Sequence, residues 1–476
     1  MTFKSKKVNS GWLGLFIVMA VVSVLGLAVS PSEGLYDMSN THLYANVAWM
    51  ITATIFVLMM TPGLSFFYGG MVRAKNVIST MLQSFIVMGF VSVIWVVFGF
   101  SLAFGDDIYH VIGNPAQFFM FDGVGVKNVT DAANELSQIG LVTTTIPLAL
   151  FALFQMKFAI ITPSLITGSF AERVHFSGYL LFMVLWVVFV YCPLAHCTWH
   201  PEGLFAQLHV HDYAGGIVVH AASGIAALAG AIFLGRRRPS DDASKPANVP
   251  FVLLGAALLW LGWFGFNGGS SLAADGIGVL AFLNTNTAAA TAMITWIVFD
   301  ALRGRKPSAM GAAIGAVVGL VAITPCAGWV TVGQSIFISF VITICCNMAV
   351  SWKGYSHRLD DALDVFPTHG LGGIIGTVMT GIFAYDFFAK GDPGMISHVE
   401  FFWNHILVLG IVFIYTFAVS YGLYWVTNLF IPLRVSRKSE EIGLDRSQHD
   451  EEYGVESVTG LAEDAPTEAQ WFSSME

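Results

Sequence analysis

Asp212-Tyr-Ala-Gly-Gly-Ile-Val-Val-His220 and Asp364-Val-Phe-Pro-Thr-His369-Gly370 decide how this chain is read. Each places a carboxylate at the start of an apolar, glycine-rich span and a histidine inside it. Asp212 is positioned to accept the free N–H groups of the helix it precedes, as an N-cap does. His220 follows eight residues later, about 12 Å along a helix rising ~1.5 Å per residue. An ionisable group that deep in an apolar span is costly and by default marks a pathway. A buried, satisfied histidine is the plainer reading of either one alone; two in matching contexts favour function.

The surrounding composition is that of a membrane protein. Of 476 residues 55% are hydrophobic and 11% charged, and mean hydropathy is +0.70. A soluble domain carries about a quarter of charged residues. A ~30 Å bilayer core needs about 20 apolar residues per helix. Many segments reach that length, and long apolar runs exclude a barrel, so the chain reads as one all-α polytopic bundle. The net charge of −9 sits in loops and the C-terminal tail and gives no sign of a nucleic-acid partner. The five cysteines show neither metal nor disulfide spacing.

Lys4, Lys6 and Lys7 precede an apolar run from Trp12 to Val29 that ends in Gly26-Leu27-Ala28. Residues 1–28 therefore read as a cleaved signal peptide. An uncleaved extra span is the alternative, because the run is longer than most signal cores. Eleven spans are expected beyond it, at 43–70, 76–104, 140–170, 175–199, 214–235, 250–270, 278–301, 308–325, 330–352, 366–385 and 400–432. Outside the leader, Lys127 and Lys390 lie in alternate loops and Lys157 inside a span; every other Lys and Arg falls on the opposite side. The positive-inside rule makes that side cytoplasmic. The mature N-terminus is then outside and the tail, 433–476, inside the cell, with residues 43–432 as the domain of a multi-pass plasma-membrane protein. The tail is acidic and polar and reads as partly disordered. The sequon at Asn128 carries no weight.

A faint internal repeat supports this layout. Phe66-Phe67-Tyr68-Gly69-Gly70 ends span 1 and Phe264-Gly265-Phe266-Asn267-Gly268-Gly269 ends span 6; the two Asp/His pairs mark spans 5 and 10. An offset of five spans makes the halves cross in opposite senses, the inverted repeat of many transporters, with a site near the midplane between them.

Aromatic side chains offer a candidate cation site. By residue rise, Phe158 and Phe266 reach similar depth in the outer part of the membrane. Trp263, Phe266 and Ser270 share a helix face, and Trp199 sits where span 4 leaves the membrane. Ring faces attract cations and a hydroxyl adds an acceptor. Interfacial and packing roles compete for the same residues. Lys157, in span 3 without a nearby acid, is expected to snorkel outward and to point away from any path.

Several stretches resemble the ammonium transporters of the Amt/Rh superfamily, on the Amt side. They are Tyr68 to Asn76, Gly168 to Arg173, Gly262 to Asn267, Asp212 to His220 and Asp364 to Gly370. The resemblance runs from about residue 43 to 453. It implies a homotrimer of eleven-span subunits on a five-plus-five inverted repeat plus one further helix, each with its own apolar pore. It further implies Phe158, Trp199 and Ser270 as the ammonium recruitment site, with Phe154 and Phe266 as a stacked gate below. His220 and His369 become the pore histidines, Asp212 and Asp364 supporting carboxylates, and Gln155 and Trp263 residues beside the path. Gly443-Leu444-Asp445 and His449 resemble a tail motif that couples subunits, although Asp450 stands where the family usually has glycine. A PII-type regulatory protein at the cytoplasmic face is a candidate partner; no cofactor or metal is implied. Uptake of NH4+ with passage of NH3 is the expected activity rather than an enzymatic one. An ammonium sensor with little flux and an Rh-like neutral gas channel are the alternatives.

Overall fold

The computed structural model describes residues 43–125, 146–238, 245–355, 359–390 and 394–454, with some helical positions between Leu13 and Val24. The expected leader cleavage, the Asn128 sequon and the last residues of the tail lie outside the described residues. The bundle is built from α1 (Leu43–Met71), α2 (Val77–Ile94), α3 (Leu148–Ile166), α4 (Phe176–Trp186) and α5 (Cys192–Trp199). The chain continues with α6 (Ala222–Leu234), α7 (Val249–Gly268), α8 (Gly276–Leu302), α9 (Ala309–Ile323), α10 (Val332–Tyr355), α11 (Leu371–Phe383) and α12 (His398–Phe430). A π turn at Val187–Tyr191 joins α4 to α5 in one span.

Nine helices among the described residues are long and apolar enough to cross a membrane. Two of the eleven expected spans are shorter as continuous α-helix. One is α9, of 15 residues; the other is divided between a π turn at Phe366–Gly370, with Pro367 in its first positions, and α11. Span 3 begins at Leu148 among the described residues, later than the expected 140.

Local chemistry starts these helices. Asn248 accepts the Phe251 N–H at 3.0 Å, Asp275 that of Gly278 at 2.8 Å and Ser308 that of Gly311 at 3.0 Å. Each satisfies an N–H that a helix N-terminus leaves bare. The helices then sort by depth. In α3 and in the segment Gly216–Leu234, 83% of the apolar window is buried within the protein, against 28% in α12. The first two therefore form the centre and α12 the rim that lipid covers.

Close packing between apolar helices needs small residues. A Cβ on Gly255 of α7 would lie 2.3 Å from the Phe67 nitrogen of α1. At the centre, a Cβ on Gly224 of α6 would lie 2.2 Å from the Gly370 Cα. The two histidine-bearing spans thus touch backbone to backbone.

One end of the bundle is rich in arginine. Buried Glu172 binds Arg73 at 2.7 Å and Arg237 at 3.0 Å, and Arg237 also holds Asp360 at 2.9 Å. Burial opposes the charge on Glu172, but the Arg73 hydrogen bond and the charges of Arg237 and Arg73 hold its pKa below the usual range. Asp360 is likewise lowered to about 2, where the Arg237 contacts outweigh desolvation.

The start of the tail docks on this end. Asp445 accepts the Ile78 and Ser79 N–H groups at 3.0 and 2.7 Å, capping α2. Leu444 N–H donates to Asn76, His449 packs edge-on against Phe176, and Asn248 donates to the Tyr453 hydroxyl. Asp450 adopts a left-handed conformation, φ 55°. Glycine reaches that region at no cost and Asp reaches it more readily than most residues, so the substitution keeps the bend.

Candidate functional site

The site lies along the line where the central helices meet. Its upper part is a cavity of about 120 Å³ at the end of the bundle away from the arginines. Phe154, Gln155, Phe158, Trp199, Tyr213 and Ser270 are among the residues that line it. The sequence reading did not single out Tyr213, although it directly follows Asp212 in the decisive stretch. The indole of Trp199 donates to the Asp212 carbonyl at 2.9 Å and meets Phe158 edge-on at 6.0 Å. The Ser270 hydroxyl donates to the Phe266 carbonyl at 2.7 Å, which aims its lone pairs away from that helix.

Below the cavity the rings close up. Phe158 stacks on Phe266 with centroids 4.1 Å apart, and Phe154 meets Phe158 as a T at 4.9 Å. The stacked pair is therefore Phe158 with Phe266, not Phe154 with Phe266. The reason is chain direction: α3 starts at the cavity end and runs toward the arginines, so Phe154 lies one turn nearer the opening than Phe158.

His220 comes next, 6.0 Å from Phe266 and stacked on Trp263 at 5.4 Å. The Trp263 indole is fixed by a 2.8 Å bond to Thr324. His369 follows, with its Nδ1 3.4 Å from the Nδ1 of His220. Two nitrogens so placed share one proton, so one donates and the other accepts. The Nε2 of His220 is buried without a hydrogen-bond partner in the protein. Past His369, a small space lined by Phe67, Tyr68, Leu363, Asp364 and Thr368 leads toward the arginine-rich end.

Both histidines sit on π turns, Gly216–Ala221 and Phe366–Gly370. Asp212 is not the cap residue itself. The chain stays non-helical to Gly215, at φ 114°, and the carboxylate reaches over this bend. Its oxygens accept Gly215, Gly216, Ile217 and Val218 N–H groups at 2.9, 2.6, 2.7 and 3.2 Å. His220 is consequently near the helix start, nearer than eight helical residues would place it.

In the second span it is Asp361 that accepts a starting N–H, that of Phe366 at 2.7 Å. Asp364, the expected equivalent, has φ 60° and contacts Lys353. Lys157 is turned out of the cavity lining, but it is buried and its Nζ lies 3.6 Å from the Met156 sulfur. It does not snorkel: α3 exposes Leu153, but Lys157 lies on a side of the helix that is packed against its neighbours, at 8% exposure.

A family model described as the ammonium transporter family matches residues 48–453. The chain belongs to the ammonium transporter family. It is 41% identical to an ammonium transporter of Bacillus subtilis over 87% of this chain and 99% of that one. The crystal structure of Saccharomyces cerevisiae Mep2 superposes with a TM-score of 0.76 at 33% identity, covering 88% of this chain and 94% of that one. A solved structure of a sensor Amt protein gives 0.75 at 29% identity, with 86% and 98% covered.

Proposed function

We propose that the protein carries ammonium across the plasma membrane, recruiting NH4+ in the Trp199/Ser270 cavity and passing NH3 beyond the phenylalanine pair. The observation that carries this reading is an unbroken file of rings. Trp199, Phe158, Phe266, His220 and His369 follow one another with centroids 6.0, 4.1, 6.0 and 5.5 Å apart. An intact hydrated cation cannot enter such a file without a large desolvation cost. At the opening, indole and phenyl faces and the Ser270 lone pairs replace part of the hydration shell. Beyond Phe158 and Phe266 a neutral molecule passes easily, and the imidazoles offer one donor or acceptor at a time. Phe154 lines the recruitment cavity in this reading, and Phe158 with Phe266 forms the gate.

The arginine-rich end is cytoplasmic, with the mature N-terminus outside. The subunit has eleven spans in a five-plus-five inverted repeat with one more helix, and forms a trimer with one pore in each copy. The docked tail offers the surface on which a PII-type protein would act. Ammonium-evoked currents in proteoliposomes test the reading. His220→Ala and His369→Ala should each reduce conduction or loosen selectivity while the assembled fold persists. Wild-type currents and selectivity in both variants would refute the paired-histidine pore. A sensing role with little flux is the second reading, favoured by the likeness to the sensor Amt structure; negligible wild-type flux with retained ammonium binding would establish it.

A further inference from the structure

Behind Trp199, one turn earlier in α5, His196 is wholly buried. Its Nδ1 lies 3.0 Å from the Ala103 carbonyl oxygen and its Nε2 2.9 Å from Asp107 Oδ1. Both partners are acceptors when Asp107 is ionised. A neutral imidazole has one N–H and one lone pair, whereas the imidazolium has two N–H groups. With Asp107 ionised, only the doubly protonated ring satisfies both contacts. We propose that His196 and Asp107 form a buried imidazolium–carboxylate pair that positions Trp199, so that capture of the cation depends on external pH.

The surroundings agree. Burial opposes the charge on Asp107, but hydrogen bonds from His196 and from the His110 N–H, with the charges of both rings, hold its pKa below the usual carboxylate range. His200 stacks on His196 at 4.4 Å and accepts the Glu202 N–H at its Nδ1, so this second ring carries its proton on Nε2. A neutral ring face against an imidazolium is attractive. The imidazolium also lies in the last turn of α5, where positive charge complements the helix dipole. Other titratable groups around the pair are Asp106, Tyr109 and His110 on the neighbouring hairpin, Cys197 and Glu202 on the same segment, and Asp212 under Trp199.

Trp199 is the last residue of α5, and the His200 N–H bonds the His196 carbonyl at 3.1 Å. Loss of the proton turns a lone pair of His196 toward an acceptor and loosens the turn that carries the indole. His196 and Asp107 are positioning residues; neither lines the cavity.

The inference rests on the transport reading, so its test has two arms. In the first, nitrogen NMR on protein labelled at histidine, assigned by the signal lost in His196→Gln, should show two N–H groups on one buried ring near neutral pH. Asp107→Asn should convert it to one, because an amide N–H can donate to a neutral Nε2. In the second, methylammonium uptake into proteoliposomes is measured from about pH 6 to 9. The wild-type half-saturation should rise roughly tenfold, the worth of one charged hydrogen bond, with little change in maximal rate. Asp107→Asn should flatten that rise. A singly protonated His196 in the wild type overturns the proposal whatever the flux. A doubly protonated ring with a pH profile unchanged in Asp107→Asn overturns its link to capture. Absence of any wild-type uptake refutes the transport reading, and with it the link to capture, leaving the ion pair to the NMR result.

Discussion

At one end of the bundle Asp212 gives both oxygens to four backbone N–H groups, and no basic side chain among the described residues pairs with it. At the other end Asp361 caps a matching π turn through one N–H, while Lys353 contacts Asp364 and the Asp361 carbonyl. The turns share a shape, and their electrical settings differ. A π turn with a histidine on it needs only that its first N–H groups be met. The counter-charge is a separate choice made by each end. An anion held by dipoles alone favours an arriving cation, whereas a paired one does not. The two histidines share a backbone setting and differ in the charge that stands behind each turn.

The largest test of this comparison is removal of the carboxylates. Asp212→Ala bares four buried N–H groups, each costing about 1–3 kcal/mol. Assembled protein should be largely lost, as read by size exclusion in detergent. Asp361→Ala bares one and should lower Tm by much less. Equal losses would mean that the turns are held alike.

Trp199→Leu acts on the cation-favouring end alone. Its indole is tied to the Asp212 carbonyl, and a cation–π contact is worth ~0.5–2 kcal/mol. Half-saturation for ammonium should rise roughly two- to thirtyfold. Superimposed concentration–current curves would make the indole a packing residue.

The smallest effect is expected from Lys157→Ser. If Lys157 offset the charge at this end, its removal would raise currents or affinity severalfold. Its place outside the cavity predicts nearly unchanged currents and an equal or higher Tm, since a buried amine beside a thioether is unfavourable.

The sequence made the central pairing legible because an aspartate and a histidine in a glycine-rich apolar span have few other uses. His220 and His369 do meet, and Trp199, Ser270 and Phe158 do share a cavity. What escaped it was register. Asp361 and Asp364 are both near the turn, and the carboxylate that caps it depends on which of them takes a positive φ. Phe154 and Phe158 lie on one helix face, and which one stacks on Phe266 depends on how α3 and α7 cross. Lys157 could be rotated off the path by counting residues, but its burial follows from the central place of α3, which no local pattern reveals. The tail's order comes from contacts with α2 and α4 more than 250 residues away in the chain.

The backbone contact between Gly224 and Gly370 bears on how such a molecule can move. It pins the two spans together at one point. With no side chain between them, the two spans cannot part without opening a void between close-packed backbones. His220 and His369 flank that point. The spacing of the two rings is therefore set by backbone contact rather than by the side chains packed around them.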